Sequence, residues 1–183
     1  MCSSDLGDLW FQLYMWSDKE LSLKLVDRVK SVGFETLIVT VDSTISGNRE
    51  YNHRNGFEVP LQYTPRMVAQ LLAKPEWLVT CLLQQFIKRG VPKFENYPPE
   101  VMDGLLSKSF KRSALKNETL DWDDFRHLRD RWPGKLVLKG VLHPDDAAKA
   151  ADCGADGVIV SNHGGRSLDA SLAPIQALPE IAA

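Results

Sequence analysis

Ser161-Asn162-His163-Gly164-Gly165-Arg166 follows directly on the apolar run Gly157-Val158-Ile159-Val160 and sets a titratable base three residues before a permanent cation. Histidine takes up a proton near neutral pH, whereas arginine stays charged and grips a carboxylate through two parallel hydrogen bonds. The chemistry this pair suggests is removal of a proton from a small carboxylic acid. Gly164 and Gly165 supply backbone without side chains, able to turn sharply or to approach a bound molecule closely. On its own, His-Gly-Gly is equally a surface loop with a satisfied histidine, so the reading depends on what else converges there.

Other polar residues recur at matching places. Gln12 and Tyr14 end the run Leu9-Trp10-Phe11-Gln12-Leu13-Tyr14, Thr40 and Asp42 end Leu37-Ile38-Val39-Thr40-Val41-Asp42, and Lys139 closes Leu136-Val137-Leu138-Lys139-Gly140. Taken singly, each has a plainer reading: a solvated lysine, a core tyrosine with a wet hydroxyl, an Asp-Ser turn. The runs themselves predict strands, and 37–42 is apolar enough for a strand covered on both faces of a parallel sheet. Between them, Asp18 to Val32 predicts a helix, with Leu21, Leu25, Val29 and Val32 on one face and Gly33 as its stop. Further helices are predicted over Trp122 to Trp132, over Pro144 to Asp152, and from about Pro174.

Strand–helix alternation of this kind predicts a parallel α/β architecture. Four successive strands ending in chemistry favour a (β/α)8 barrel, in which every strand's carboxyl end faces one site. An open doubly wound sheet gathers its ligands at a single switch point instead. The expected fold is a partial TIM barrel, about four of the eight core strands, with a helical insertion.

Composition narrows the function classes. The chain has 183 residues, 44% of them hydrophobic and 25% charged, as in a soluble globular domain. A net charge of -2 gives no general attraction to nucleic acid. Cys2, Cys81 and Cys153 are odd in number and widely spread, which argues against a disulfide framework or a zinc site and for a reducing compartment. His53, His127 and His143 have no second ligand at metal spacing and read as surface or helix residues, so no metal is expected. Trp122, Trp132 and Cys153 read as packing residues. No stretch is apolar enough over about 20 residues to span a bilayer, and no secretory signal is visible, so a soluble or peripheral, cytoplasmic protein is expected.

Trp10-Phe11-Gln12-Leu13-Tyr14, Thr40-Val41-Asp42 followed by Arg49, Leu138-Lys139-Gly140, and Ser161 through Asp169 occur in that order. Together they closely resemble the FMN-dependent α-hydroxy acid dehydrogenase and oxidase family, over nearly the whole chain from about Gly7 to Ile181. The resemblance implies FMN as cofactor and oxidation of an (S)-2-hydroxy acid, such as L-lactate or mandelate, to the 2-oxo acid. It makes His163 the base and Asp42 the carboxylate that orients it. It gives Tyr14, Arg49 and Arg166 to the substrate, and Gln12, Thr40, Lys139 and Ser161 to FMN. A lysine charge beside the flavin's pyrimidine ring would favour the reduced anion. A quinone, a cytochrome or oxygen would take the electrons onward, and the complete protein would be a homo-oligomer. Family members continue into an Asp-x-Gly-x-Arg-Arg-Gly strand and a later Gly-Arg turn, so residues 1–183 are expected to be the central part of a longer barrel. Two rival readings are an FMN barrel of the isopentenyl diphosphate isomerase type and a non-catalytic half-barrel. The first calls for groups that grip a diphosphate, whereas Arg49, Arg166 and His163 suit a carboxylate and a proton.

From Tyr51 to about Thr119 the alternation stops for longer than an ordinary connection, which marks an inserted segment with structure of its own. Thr64-Pro65 predicts a capped helix through Ala73, and Pro75 starts a second that runs to Arg89. Between Thr64 and Lys93 five basic residues, Arg66, Lys74, Lys88, Arg89 and Lys93, face one acid, Glu76, for a local charge of +4. An apolar face with a basic rim suits a helix on an anionic membrane, and equally one packed on its own domain. The stretch is similar to the membrane-attachment segment of mandelate and bacterial lactate dehydrogenases. That similarity implies peripheral attachment to the cytoplasmic face of the inner membrane.

Overall fold

The computed structural model describes residues 8–43, 50–56, 64–91, 96 and 119–183. The chain divides into two compact units, one formed by Met1–Gly47 with Ser113–Ala183 and the other by Asn48–Arg112.

The first unit carries the alternation. Strand β1 (Trp10–Leu13) leads to helix α1 (Lys19–Ser31) and strand β2 (Thr36–Thr40). Helix α6 (Trp122–Arg131) precedes β3 (Lys135–Val141), α7 (Pro144–Asp152) precedes β4 (Gly157–Val160), and α8 (Pro174–Ala182) follows. The four strands are parallel and lie side by side in sequence order. Order without reversal leaves no switch point, which removes the doubly wound alternative and leaves the barrel segment.

Helix ends follow their local chemistry. Asp18 caps α1 by accepting from the Leu21 amide, and Asp121 caps α6 in a reciprocal box with Asp124. Pro144 and Pro174 sit in the first turns of α7 and α8, where a missing amide proton costs nothing. His143, expected as a surface or helix residue, caps α7 by accepting at Nδ1 from the Asp145 amide. The core joins Leu13, Leu37, Val39, Leu136 and Leu138 of the strands to Val26 and Val29 of α1 and Phe125 and Leu128 of α6. Trp132 and Cys153 are buried as expected, and Trp122 meets Phe125 edge-on with the Lys149 ammonium 5.2 Å from its ring. Neighbouring helices are tied by Lys19–Asp124 at 2.6 Å and by Asp27–Arg131.

The second unit holds α2 (Glu50–Arg54), α3 (Pro65–Leu72), and a longer helical run. That run begins as α4 (Pro75–Trp77), widens into π-helical turns over Leu78–Leu83, and ends as α5 (Gln84–Arg89). Thr64 caps α3 through the Met67 amide, as its position predicts. Among the described residues of this unit none is buried. Lys93, one of the five basic residues, lies outside the described residues.

Candidate active site

Side chains alternate between the two faces of a strand, and partners in register on parallel strands share a face. Gln12 is in register with Ile38, Thr40 with Lys139, and Lys139 with Ile159. These residues therefore lie on one face, opposite the buried Leu13, Val39 and Leu138, and the polar ones stand at the carboxyl ends. Register slips by one residue between Lys139 and Val141, so Gly140 is the extra residue of a β-bulge.

The bulge makes room for Asp42. Gly140 has φ 111°, and a Cβ there would stand 2.6 Å from Asp42 Cβ. Asp42 thus rests on bare backbone, its side chain 9% exposed. One carboxylate oxygen, Oδ1, meets His163 Nδ1 at 2.8 Å, and the other, Oδ2, accepts from the Ser161 hydroxyl at 3.2 Å. The Ser161 oxygen in turn accepts from the His163 amide at 3.1 Å. His163 opens a single 3₁₀ turn, His163–Gly165, and holds a left-handed φ of 57°. Asn162 steadies this turn by accepting from the Gly164 amide at 3.0 Å and donating to the Leu172 carbonyl at 3.2 Å.

A second cluster adjoins the pair. The Gln12 amide donates to the Tyr14 hydroxyl at 3.0 Å and to Thr40 Oγ1 at 2.8 Å. The Tyr14 oxygen is thereby an acceptor, and its proton is left to donate elsewhere. Burial of the phenol, with the Asp42 charge second, raises the Tyr14 pKa above the ordinary tyrosine range, although Thr40 lowers it in part. Tyr14 therefore stays a neutral donor through neutral pH. Its ring lies edge-on to the His163 imidazole, 6.3 Å between centroids.

Of the residues singled out from the sequence, the structure brings Gln12, Tyr14, Thr40, Asp42, Ser161 and His163 into one group, joined by hydrogen bonds and by the edge-on contact of Tyr14 with His163. Lys139 stands on the same face, half-buried, with no side-chain partner among the described residues. Arg166 is exposed just beyond the 3₁₀ turn, and its guanidinium likewise has no partner among the described residues. Arg49 lies outside the described residues. Gly140 is the residue whose role sequence reasoning missed. A glycine inside an otherwise apolar strand is the signal for a bulge or a close approach.

A half-buried ammonium, without a side-chain partner among the described residues, beside Thr40, Gln12 and the apolar Ile38, Val137 and Ile159 fits a flat heteroaromatic group that gains negative charge when reduced. Residues 2–183 match the family model described as FMN-dependent dehydrogenase. The chain belongs to that family. It is 39% identical over 176 residues to an L-lactate dehydrogenase of Caulobacter vibrioides, covering 94% of this chain and 44% of that one. It is 35% identical over 174 residues to (S)-mandelate dehydrogenase of Pseudomonas putida, covering 95% of this chain and 43% of that one. Among solved structures it resembles the monotopic membrane protein (S)-mandelate dehydrogenase, with TM-score 0.78 and 33% identity over 96% of this chain and 47% of that one. The chain thus spans less than half the length of these relatives, and its four strands are part of their TIM barrel. Membership of this family implies FMN as the cofactor, and Gln12, Thr40 and Lys139 stand on one face at the strand ends, with Ser161 just past the end of β4.

Proposed function

We propose that this chain carries the reacting centre of an enzyme that oxidises an (S)-2-hydroxy acid, such as L-lactate or mandelate, to the 2-oxo acid. The observation that carries the reading is the His163–Asp42 contact of 2.8 Å beside two cations without protein partners among the described residues. With Nδ1 engaged by the carboxylate, Nε2 is the free lone pair and acts as the base. Asp42 stabilises the imidazolium that forms when His163 takes the substrate's proton. Arg166, with Arg49 as a second cation, binds the substrate carboxylate through its planar fork. Tyr14 donates its hydroxyl proton to the substrate, the orientation that Gln12 imposes on it. FMN, held by Gln12, Thr40, Lys139 and Ser161, would supply the two-electron acceptor, and the Lys139 ammonium would favour the added negative charge. Anaerobic addition of L-lactate or (S)-mandelate to the full-length, FMN-loaded protein should bleach the flavin absorbance. A flavin that stays oxidised with every 2-hydroxy acid tried would overturn the reading.

We further propose that the second unit rests on an anionic membrane, which selects a membrane quinone as electron acceptor over a cytochrome or oxygen. Support comes from exposed Val68, Leu72, Trp77, Val79, Leu83, Phe86 and Ile87 on the same helices as Arg66, Lys74, Lys88 and Arg89. A similar solved structure is described as monotopic, and no helix among the described residues is long and apolar enough to cross a bilayer. The full-length protein should sediment with phosphatidylglycerol vesicles at low salt and much less after the four described basic residues are neutralised. Failure to sediment at low salt, or sedimentation unchanged by the neutralisation, would remove the membrane role.

A further inference from the structure

We propose that Ser161 is a positioning residue for the Asp42–His163 pair, a role beyond contact with the flavin. The proposal rests on the reading of His163 as base. A serine hydroxyl has one proton to give. Here that proton is directed to Asp42 Oδ2 at 3.2 Å, while the same oxygen accepts the His163 amide at 3.1 Å. One side chain therefore holds both partners of the pair, the carboxylate by its outer oxygen and the histidine by its backbone.

Each of these constraints has a consequence. With Oδ2 held by Ser161 and the methylene pressed against Gly140, the carboxylate has one orientation left, and in it Oδ1 faces His163 Nδ1. That contact keeps the ring proton on Nδ1 and leaves Nε2 to act on substrate. The left-handed backbone of His163 is unfavourable for a residue with a Cβ and persists only where its surroundings hold it. The Ser161 oxygen is the group that holds the amide of that residue. With its proton spent on Asp42, Ser161 meets any flavin group as an acceptor only.

Ser161→Ala and Ser161→Thr, each also made with Asp42→Asn, separate this role from flavin binding in the full-length, FMN-loaded protein. Ser161→Ala should slow anaerobic flavin reduction by L-lactate, measured per bound flavin, about tenfold to thirtyfold, and Ser161→Thr should recover most of that loss. In the Asp42→Asn background the same change should cost less than about twofold, because the partner it positions is already disabled. The downfield imidazole Nδ1–H proton resonance, visible without turnover, should broaden into solvent exchange in Ser161→Ala and persist in Ser161→Thr. Equal slowing in both backgrounds, or loss of FMN with the resonance intact, would overturn the proposal. If no 2-hydroxy acid reduces the wild-type flavin, the functional reading fails, and the resonance alone decides: its loss in Ser161→Ala supports the positioning role, its persistence refutes it.

Discussion

At the amino ends of β3 and β4, Arg129 donates to the carbonyls of Gly154 at 3.3 Å, Gly134 at 2.7 Å and Trp132, and to Asp156 at 2.9 Å. Asp156 also accepts from the Leu136 amide at 2.7 Å, and Trp132 donates to the Lys135 carbonyl at 3.0 Å. At or beyond the carboxyl ends of the same strands, Lys139 and Arg166 have no protein partner for their charge among the described residues. Both ends use cations, carboxylates and glycine-lined backbone. Polar groups satisfied inside the protein stabilise it, whereas polar groups held in place but left unsatisfied keep their interaction energy for a ligand. One end of the sheet therefore reads as staple and the other as site.

Loss of the base should cripple the site end while leaving the stapled end intact. His163→Gln should lower the rate of flavin reduction by about 100-fold to 10,000-fold. Its FMN content and melting temperature should stay within the range of the wild type. Turnover comparable to the wild type would assign the base elsewhere.

Arg129→Met should do the converse. Several carbonyls and the Asp156 carboxylate lose their donor at once, which should cost about 3 kcal/mol of stability in urea unfolding. Flavin reduction by folded protein should change little. A stability near that of the wild type would show that the staple is replaced by water.

Gly140→Ala sits between these cases. The added methyl would meet Asp42 at 2.6 Å in a backbone conformation that disfavours any Cβ. Displacement of the carboxylate should slow flavin reduction about tenfold or more, with a smaller loss of stability of about 1 kcal/mol. Unimpaired reduction would mean that Asp42 does not depend on its seat.

How much of this was legible in the sequence follows from the range of the interactions. Caps and first-turn prolines act over a few residues, so Asp18, Thr64, Pro144 and Pro174 marked their helices correctly. Apolar runs fixed the strands to within a residue or two. Asp42 and His163 are 121 residues apart, and neither is informative alone. Their pairing was legible only through the family resemblance that the strand-end motifs carry together. The Gly140 bulge left only a weak signal, a glycine inside an apolar strand, because its cause is the approach of Asp42 from just beyond the neighbouring β2. The left-handed His163 makes one local contact, to the Ser161 hydroxyl, and one distant contact, to Asp42, and only the second is tertiary. The π-helical turns over Leu78–Leu83 keep an apolar pattern close to that of an α-helix, so periodicity could not distinguish them.

The stapled end should also show itself weakly in the pH dependence of stability. Asp156 titrates below the ordinary carboxylate range, first because the Leu136 amide hydrogen-bonds its anion and then because Arg129 does, although desolvation opposes both. A carboxyl group whose folded pKa is depressed contributes stability above its unfolded pKa, about 3.9, and loses it as pH falls through the lower folded value. The side chain is 48% exposed, so screening by solvent holds this contribution to less than about 1 kcal/mol. Asp156→Asn keeps an oxygen for the Leu136 amide but no charge for Arg129. It should be slightly less stable than the wild type at pH 7, and the difference should close as both are acidified below about pH 3.9. Urea unfolding at stepped pH measures the convergence, and parallel acid limbs would exclude Asp156 as its source. Flavin reduction at pH 7 should be unchanged in the same variant, since the carboxylate stands at the opposite end of the strands from Asp42.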